Sequence, residues 1–159
     1  MTDAVQSGQP PGVVRAARWL AHAQRDRARA DALAATDAEL SVFCFQQAAE
    51  KALKAILVAA GEPFERTHSL DRLLVRVGRF APEFLACPGD PERVSSFVSR
   101  FRYPDEGGDD LADPEDVAQA RRVAEWLVAT AERHLTGPVG ELARRILADL
   151  TRGGAGGSS

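Results

Sequence analysis

Five polar side chains on one predicted helix are the part of this sequence best suited to chemistry. Gln46, Glu50 and Lys54 are spaced at i, i+4 and i+8, and Gln47 and Lys51 lie beside them on one broad helical face. One interpretation is a solvated surface with a Glu50–Lys54 pair, worth about 0.3–0.5 kcal/mol. The other is the lining of a polar cleft, because Lys51 and Lys54 are the only lysines in an arginine-rich chain. Spacing alone leaves both open.

The histidines suit proton transfer or capping better than metal binding. His68 lies in the segment Arg66-Thr67-His68-Ser69-Leu70 at the start of a predicted helix. Together with Thr67 it either caps that helix or serves as an acid–base group at the edge of a pocket, since histidine titrates near neutral pH. No histidine has a second histidine or cysteine at ligand spacing, so we expect no metal site. His22 and His134 are interpreted as helix-surface residues.

Arginines and acids are segregated along the second half of the chain. Residues 66–102 hold seven arginines against four acids, whereas residues 103–116 hold seven acids and no basic residue. The acidic stretch either neutralises the arginines or leaves them available for phosphates, which suit the planar guanidinium group. The net charge of −3 argues against a protein whose whole surface binds nucleic acid. No glycine-rich phosphate loop, GxSxG or HExxH motif is present, so we expect no cofactor.

Length and composition predict a single all-α domain. The chain has 159 residues, 45% of them hydrophobic, and alanine, leucine, arginine and glutamate dominate, which favours helices. Because almost no stretch alternates apolar with polar residues, strands are not expected. The sequence predicts an antiparallel up-and-down bundle of four to five helices plus a short C-terminal helix. Helices are expected at about 13–35, 38–60, 67–77, 91–103, 114–136 and 139–150.

Domain limits and location follow from the same pattern. We expect disordered tails at 1–12 and 153–159, a bundle over 13–136 and an accessory C-terminal helix at 137–152. The N-terminus shows no secretory signal, and the longest apolar run, Ala55 to Ala60, is too short for a membrane span. With two cysteines and no multi-bridge framework, a cytoplasmic protein with reduced thiols is expected.

Three segments in this order resemble the HEPN (higher eukaryotes and prokaryotes nucleotide-binding) domain family. They are FQQAAEKALKA at residues 45–55, THSL at residues 67–70 and RYPD at residues 102–105. The resemblance covers roughly residues 14–135. It implies an antiparallel helical bundle, usually a homodimer. It also implies frequent association with a small nucleotidyltransferase, often as a toxin–antitoxin-like pair, and sometimes nucleotide binding or RNA cleavage.

The sequence departs from the RNA-cleaving branch of that family. That branch carries an arginine and a histidine four to six residues apart near the start of a late helix, and no histidine follows Arg102 here. Arg15 and His22 have six residues between them, but they lie on the first helix, so we interpret that match as chance. We therefore favour a non-catalytic nucleotide- or partner-binding module. The alternative is a toxin-like, metal-independent ribonuclease that uses Arg102 and His68.

The resemblance also implies a set of ligand-binding residues. In the binding-module hypothesis, Arg102 pairs with a phosphate, Lys51 or Lys54 adds charge, and Tyr103 stacks on a base. A structural role, with Arg102 paired to Glu50 inside the bundle, is the other interpretation. The candidate ligand-binding residues are Gln46, Glu50, Lys51, Lys54, His68, Arg102, Tyr103 and Asp105.

Overall fold

The computed structural model is all-helical, which confirms the predicted fold class. It describes residues 8–64, 66–102 and 112–153, without the side chains of residues 101 and 102, and this part contains no strand. The helices are α1 (Pro11–Leu33), α2 (Ala38–Ala59), α3 (Leu70–Gly78), α4 (Pro91–Arg102), α5 (Pro114–His134) and α6 (Pro138–Gly153), with a 3₁₀ turn at Pro82–Ala86.

Helix α2 is the centre of the bundle. It packs against α1 on one side and α5 on another, and α3 and α4 cover part of the remaining surface. Apolar residues on most sides of α2, including Phe45, Leu53 and Ile56, are completely buried. Alanines on α1 and α2 allow the two helices to approach closely, and a short loop makes them antiparallel neighbours. Because α2 is surrounded, its polar side chains are also drawn toward the interior.

Capping residues explain several of the helix ends. The Asp37 carboxylate accepts a hydrogen bond from the backbone N–H of Leu40, and Asp113 and Asp116 form a capping box at the start of α5. Gly61 follows α2 with a φ of 71°, a conformation that favours glycine. Such signals are local in sequence, so the starts of α2, α4 and α5 lie where they were predicted.

Two local predictions need correction. Helix α1 begins at Pro11, inside the segment predicted as a disordered tail, because proline suits the first turn of a helix. The 3₁₀ turn at Pro82–Ala86 was not predicted, although it buries Phe84 in the core.

Helix α6 is part of the packed bundle. It lies against α1 and buries Leu142 and Ala143, so the predicted accessory helix shares the core of the other helices. Within the described ranges, no helix is both long enough and apolar enough to cross a lipid bilayer.

Candidate functional site

The buried polar cluster consists of Gln46, Glu50, Lys54 and His68. Glu50 is 3% exposed, and its carboxylate accepts hydrogen bonds from Lys54 Nζ at 2.6 Å and from Gln46 Nε2 at 3.1 Å. The Nδ1 atom of His68 lies 3.1 Å from Glu50 Oε2. The interpretation of a solvated helical face is therefore wrong for Gln46, Glu50 and Lys54. Of Gln46, Gln47, Glu50, Lys51 and Lys54, only Gln47 and Lys51 are partly exposed.

The buried polar cluster fixes the segment that leads into α3. The side-chain amide of Gln46 also donates to the backbone carbonyl of His68 at 3.2 Å, and Gln47 Nε2 donates to Gln46 Oε1 at 2.8 Å. The capping role falls to other residues: Ser69 caps α3, and Thr67 Oγ1 accepts from the N–H of Ser69. The ring of His68 therefore contacts Glu50 and is not the helix cap.

Glu50 is an anion that orients His68. Burial raises the pKa of the Glu50 carboxyl, but hydrogen bonds from Lys54 and His68 outweigh that effect, so its pKa lies below the ordinary value. A carboxylate can only accept, so Nδ1 of His68 carries a proton and donates it to Glu50. Because the side chain of His68 is 74% exposed, the ring that Glu50 orients is open to solvent.

Aromatic rings enclose the ammonium group of Lys54. Its Nζ atom lies 5.4 Å from the ring centre of Trp19 and 5.3 Å from that of Phe64. The two rings meet edge to face with centres 5.8 Å apart. Such cation–π contacts are worth about 0.5–2 kcal/mol each, more where the cation is desolvated. Trp19 therefore covers Lys54, and contacts within the protein hold its ammonium group in place.

The α1–α2 cavity lies beside this enclosed lysine. It has a volume of about 330 Å³ and is lined by Arg15, Arg18, Trp19, His22 and Lys51. The α1 residues face the same side because they are spaced at i, i+3, i+4 and i+7. Lys51 also pairs with the buried carboxylate of Asp26 at 2.5 Å. Cationic groups from two helices thus converge on one cavity that contains an aromatic ring.

His22 is a neutral member of this cavity. Burial lowers its pKa, and the nearby charges of Arg25 and Lys51 lower it further. Arg25 Nη2 lies 3.0 Å from Nδ1 of His22, and a guanidinium only donates, so Nδ1 accepts and Nε2 carries the proton. The interpretation of His22 as an ordinary surface residue is therefore wrong. His134 is a surface residue, as predicted, and lies 2.8 Å from Glu83 Oε1.

Sequence reasoning missed the α1 side of the cavity, although a signal was present. Arg15, Arg18, His22, Arg25 and Arg29 recur at alternating intervals of three and four residues, which places them along one face of α1. On sequence alone, we interpret the spacing of Arg15 and His22 as chance because both residues lie on the first helix and not near the start of a late one. A second cavity of about 610 Å³, lined partly by Arg25, Arg29 and Lys51, continues along the same face.

Three predicted site residues lie outside the described part of the chain. The backbone of Arg102 ends α4, but its side chain, Tyr103 and Asp105 are not described. Gln46, Glu50, Lys54 and His68 are brought together, and Lys51 faces the neighbouring cavity. Among the described residues, no group of three or more His, Cys, Asp or Glu side chains has an arrangement that could hold a metal ion.

Comparison with known protein families identifies the HEPN domain. A family model for the HEPN domain matches residues 16–134, which include α2, α3, α4 and α5 and nearly all of α1. Neither the curated proteins nor the solved structures contain a match to this chain. The family match ends at the last residue of α5, so α6 lies beyond it.

Proposed function

Because this chain belongs to the HEPN family, we propose that it is a nucleotide-binding module whose ligand occupies the α1–α2 cavity. The observation that carries the proposal is the convergence of Arg15, Arg18 and Lys51 with one aromatic ring in a cavity of about 330 Å³. Guanidinium and ammonium groups bind phosphate through charge-assisted hydrogen bonds, and an aromatic ring stacks on a base. A cavity of this volume is within the range of small-ligand sites.

Each lining residue has a distinct proposed role. Arg15 and Arg18 bind phosphate oxygens, while Lys51 adds charge from the α2 side. Trp19 stacks on the base, and His22 donates a hydrogen bond from Nε2. The buried polar cluster supports the cavity from behind, since Lys54 contacts the ring of Trp19.

The residues suggested by the resemblance remain part of this proposal. Gln46, Glu50 and Lys54 act by holding α3 and Trp19 in place, and His68 lies at the open end of the buried polar cluster. Contacts from Arg102, Tyr103 and Asp105 to the ligand stay a prediction.

A protein partner is the second element of the proposal. Family membership supports a homodimer that pairs with a small nucleotidyltransferase in a toxin–antitoxin-like system. An adjacent reading frame for a minimal nucleotidyltransferase, whose product co-purifies with this chain, is the expected finding. A genome that lacks such a reading frame near this gene would contradict the pairing.

Calorimetric titration with ADP tests the nucleotide site. We expect Arg15→Ala to weaken ADP binding about tenfold, because it removes a phosphate-binding cation from the rim of the cavity. The matched control is Arg145→Ala, which removes an exposed arginine from α6 and should leave binding unchanged. Both variants should unfold at the same urea concentration as the native protein, since both side chains are exposed.

Two results would overturn the proposed site. One is the absence of binding by AMP, ADP and ATP at concentrations up to about 1 mM, which corresponds to an affinity too weak to be specific. The other is an equal loss of affinity in Arg15→Ala and Arg145→Ala, which would indicate nonspecific charge attraction.

Ribonuclease activity is a second candidate function, favoured by the contact between Glu50 and His68. A carboxylate that fixes the tautomer of an exposed imidazole is suited to general-base catalysis on a ribose hydroxyl. Incubation of the purified protein with RNA tests this function. Metal-independent cleavage that is lost in His68→Ala would favour the enzyme over the binding module, whereas absence of cleavage would eliminate it.

A further inference from the structure

Helix α3 borders an open groove that the proposed nucleotide site does not use. The groove has a volume of about 750 Å³ and shares no lining residue with the α1–α2 cavity. One wall is formed by α3 and the other by Pro63 and Phe64. Its lining residues are Pro63, Phe64, Asp71, Arg72, Val75, Arg76 and Arg79.

Exposed apolar side chains are concentrated at this corner of the molecule. Val75 is 58% exposed and lines the groove, while Phe80 and Leu85 directly after α3 are 39% and 61% exposed. Leu85 lies over α3, because a Cβ atom on Gly78 would be 2.6 Å from Leu85 Cδ2. Of the four large hydrophobic side chains exposed in the described residues, three therefore lie on or beside α3. Val75 is the member of this group that lines the groove, where an exposed apolar side chain beside charged ones is typical of an interaction surface.

The arginines of the groove differ in their pairing. Arg76 donates to the carbonyl of Pro63 and lies 3.9 Å from Glu62, so it is engaged within the protein. Arg72 and Arg79 are exposed and form no ion pair with any described residue. They lie seven residues apart, about 10 Å along the axis of α3, with Val75 between them.

We propose that the α3 groove is a docking site for an acidic amphipathic helix of a partner protein. A partner helix that lies alongside α3 can place acidic residues opposite Arg72 and Arg79 at its positions i and i+7. These positions are separated by the same distance along the helix axis, about 10 Å, as the two arginines. An apolar residue at i+3 or i+4 of the partner then packs on Val75 in a helix-in-groove arrangement. The charge of the groove and the spacing of its groups define this occupant.

A second copy of the chain and a nucleic acid both fit the groove less well. A two-fold axis through the groove would bring Arg72 and Arg79 against the same two arginines of the other copy, and juxtaposed like charges are unfavourable. Asp71 would repel a phosphate backbone, and the exposed Val75 offers it no hydrogen-bonding group. An acidic helix satisfies the arginines and covers Val75 together.

A designed peptide tests the docking site on the full-length protein. The probe is an alanine-based helix of about 20 residues with Glu at i and i+7 and Leu at i+3 and i+4, titrated by calorimetry. A peptide with Gln in place of both Glu residues should bind about tenfold more weakly. The protein variant Arg72→Glu/Arg79→Glu should no longer bind the Glu peptide. It should instead bind a peptide with Lys at the same positions more tightly than the native protein does. The matched control, Arg144→Glu/Arg145→Glu on α6, should bind the Glu peptide like the native protein.

Three outcomes overturn the docking site. They are no binding of the Glu peptide up to about 1 mM, equal binding by native and Arg72→Glu/Arg79→Glu protein, and binding of a single-stranded oligonucleotide that depends on these two arginines. The inference goes beyond the proposed nucleotide site and is separable from it. ADP affinity measured on Arg72→Glu/Arg79→Glu protein should be unchanged, so either proposal can fail while the other stands.

Discussion

The two lysines of α2 lie three residues apart and have opposite surroundings. Lys54 is enclosed with Glu50 in the buried polar cluster, where hydrogen bonds within the protein satisfy both charges. Lys51 also has an acidic partner, Asp26, but it faces a cavity that is rich in further cations. The same residue type on one helix is thus enclosed in one place and faces an open cavity in the other.

The difference arises from what covers each side of α2. Trp19 and Phe64 close over Lys54, and the segment before α3 lies across Glu50 and Gln46. No such cover lies over Lys51, which is partly exposed. A charge that is balanced and covered stabilises the fold, whereas an excess of uncovered charge attracts an oppositely charged ligand. Each of the following variants probes one side of this contrast.

Removal of Glu50 should have the largest effect. Glu50→Ala leaves the Lys54 ammonium buried without its anion, and we expect the free energy of unfolding to fall by about 3–5 kcal/mol. Urea unfolding monitored by circular dichroism measures this loss. The matched control is Glu125→Ala, which breaks an exposed i, i+4 pair with Arg121 and should cost at most about 0.5 kcal/mol. Equal losses of unfolding free energy in Glu50→Ala and Glu125→Ala would contradict the contrast between covered and uncovered charges.

Acid should destabilise the native protein through the same carboxylate. Because the pKa of Glu50 is lower in the folded state than in the unfolded state, its contribution is present at neutral pH. That contribution begins to be lost as the pH falls below about 4.3, the ordinary carboxyl value, and disappears below the lowered folded pKa. In urea titrations at falling pH, the difference in free energy of unfolding between the native protein and Glu50→Gln should therefore become smaller. A difference in free energy of unfolding that stays constant with pH would contradict the assignment of this acid sensitivity to Glu50.

Removal of Gln47 should have an intermediate effect. Gln47→Ala leaves Gln46 Oε1 without its hydrogen-bond donor at the edge of the buried polar cluster. We expect a loss of about 1 kcal/mol in urea unfolding, because an unsatisfied buried acceptor carries its desolvation cost. Gln119→Ala on α5 removes an exposed hydrogen bond to Glu115 and is the control, with no measurable loss expected.

The smallest expected effect concerns His22 in the α1–α2 cavity. Its lowered pKa keeps it neutral at pH 7, and protonation at lower pH adds a positive charge to the lining of the proposed nucleotide site. Binding of 3′,5′-cyclic AMP, whose charge is constant over this range, should tighten about two- to fivefold between pH 7.5 and pH 5.5. Calorimetry at the two pH values measures the change. The tightening should be absent in His22→Gln, and its persistence there would exclude His22 as the titrating group.

Local signals in the sequence predicted the helices well. Asp37, Pro114 and Gly61 act within one helical turn, so their effect on the ends of α2 and α5 can be inferred without knowledge of the fold. The start of α1 was missed because Pro11 was included in the predicted disordered tail, and the residues of the 3₁₀ turn were assigned to no element.

The candidate site was only partly predictable. The grouping of Gln46, Glu50 and Lys54 followed from their spacing, but their burial depends on Trp19, Phe64 and the segment before α3, which are distant in sequence. The α1–α2 cavity needed the pairing of two helices, since its cations come from both. Periodicity alone shows which residues share a face, and only tertiary packing determines what lies over that face.

The position of Trp19 provides a built-in optical reporter. Its indole ring lines the α1–α2 cavity and also contacts the ammonium group of Lys54, so its emission should respond both to ligand entry and to loosening of the buried polar cluster. The other tryptophan of the chain, Trp126, packs edge to face on Phe84 and does not line that cavity. A Trp126→Phe variant would leave a single fluorophore, with which binding and unfolding can be followed in the same unlabelled sample.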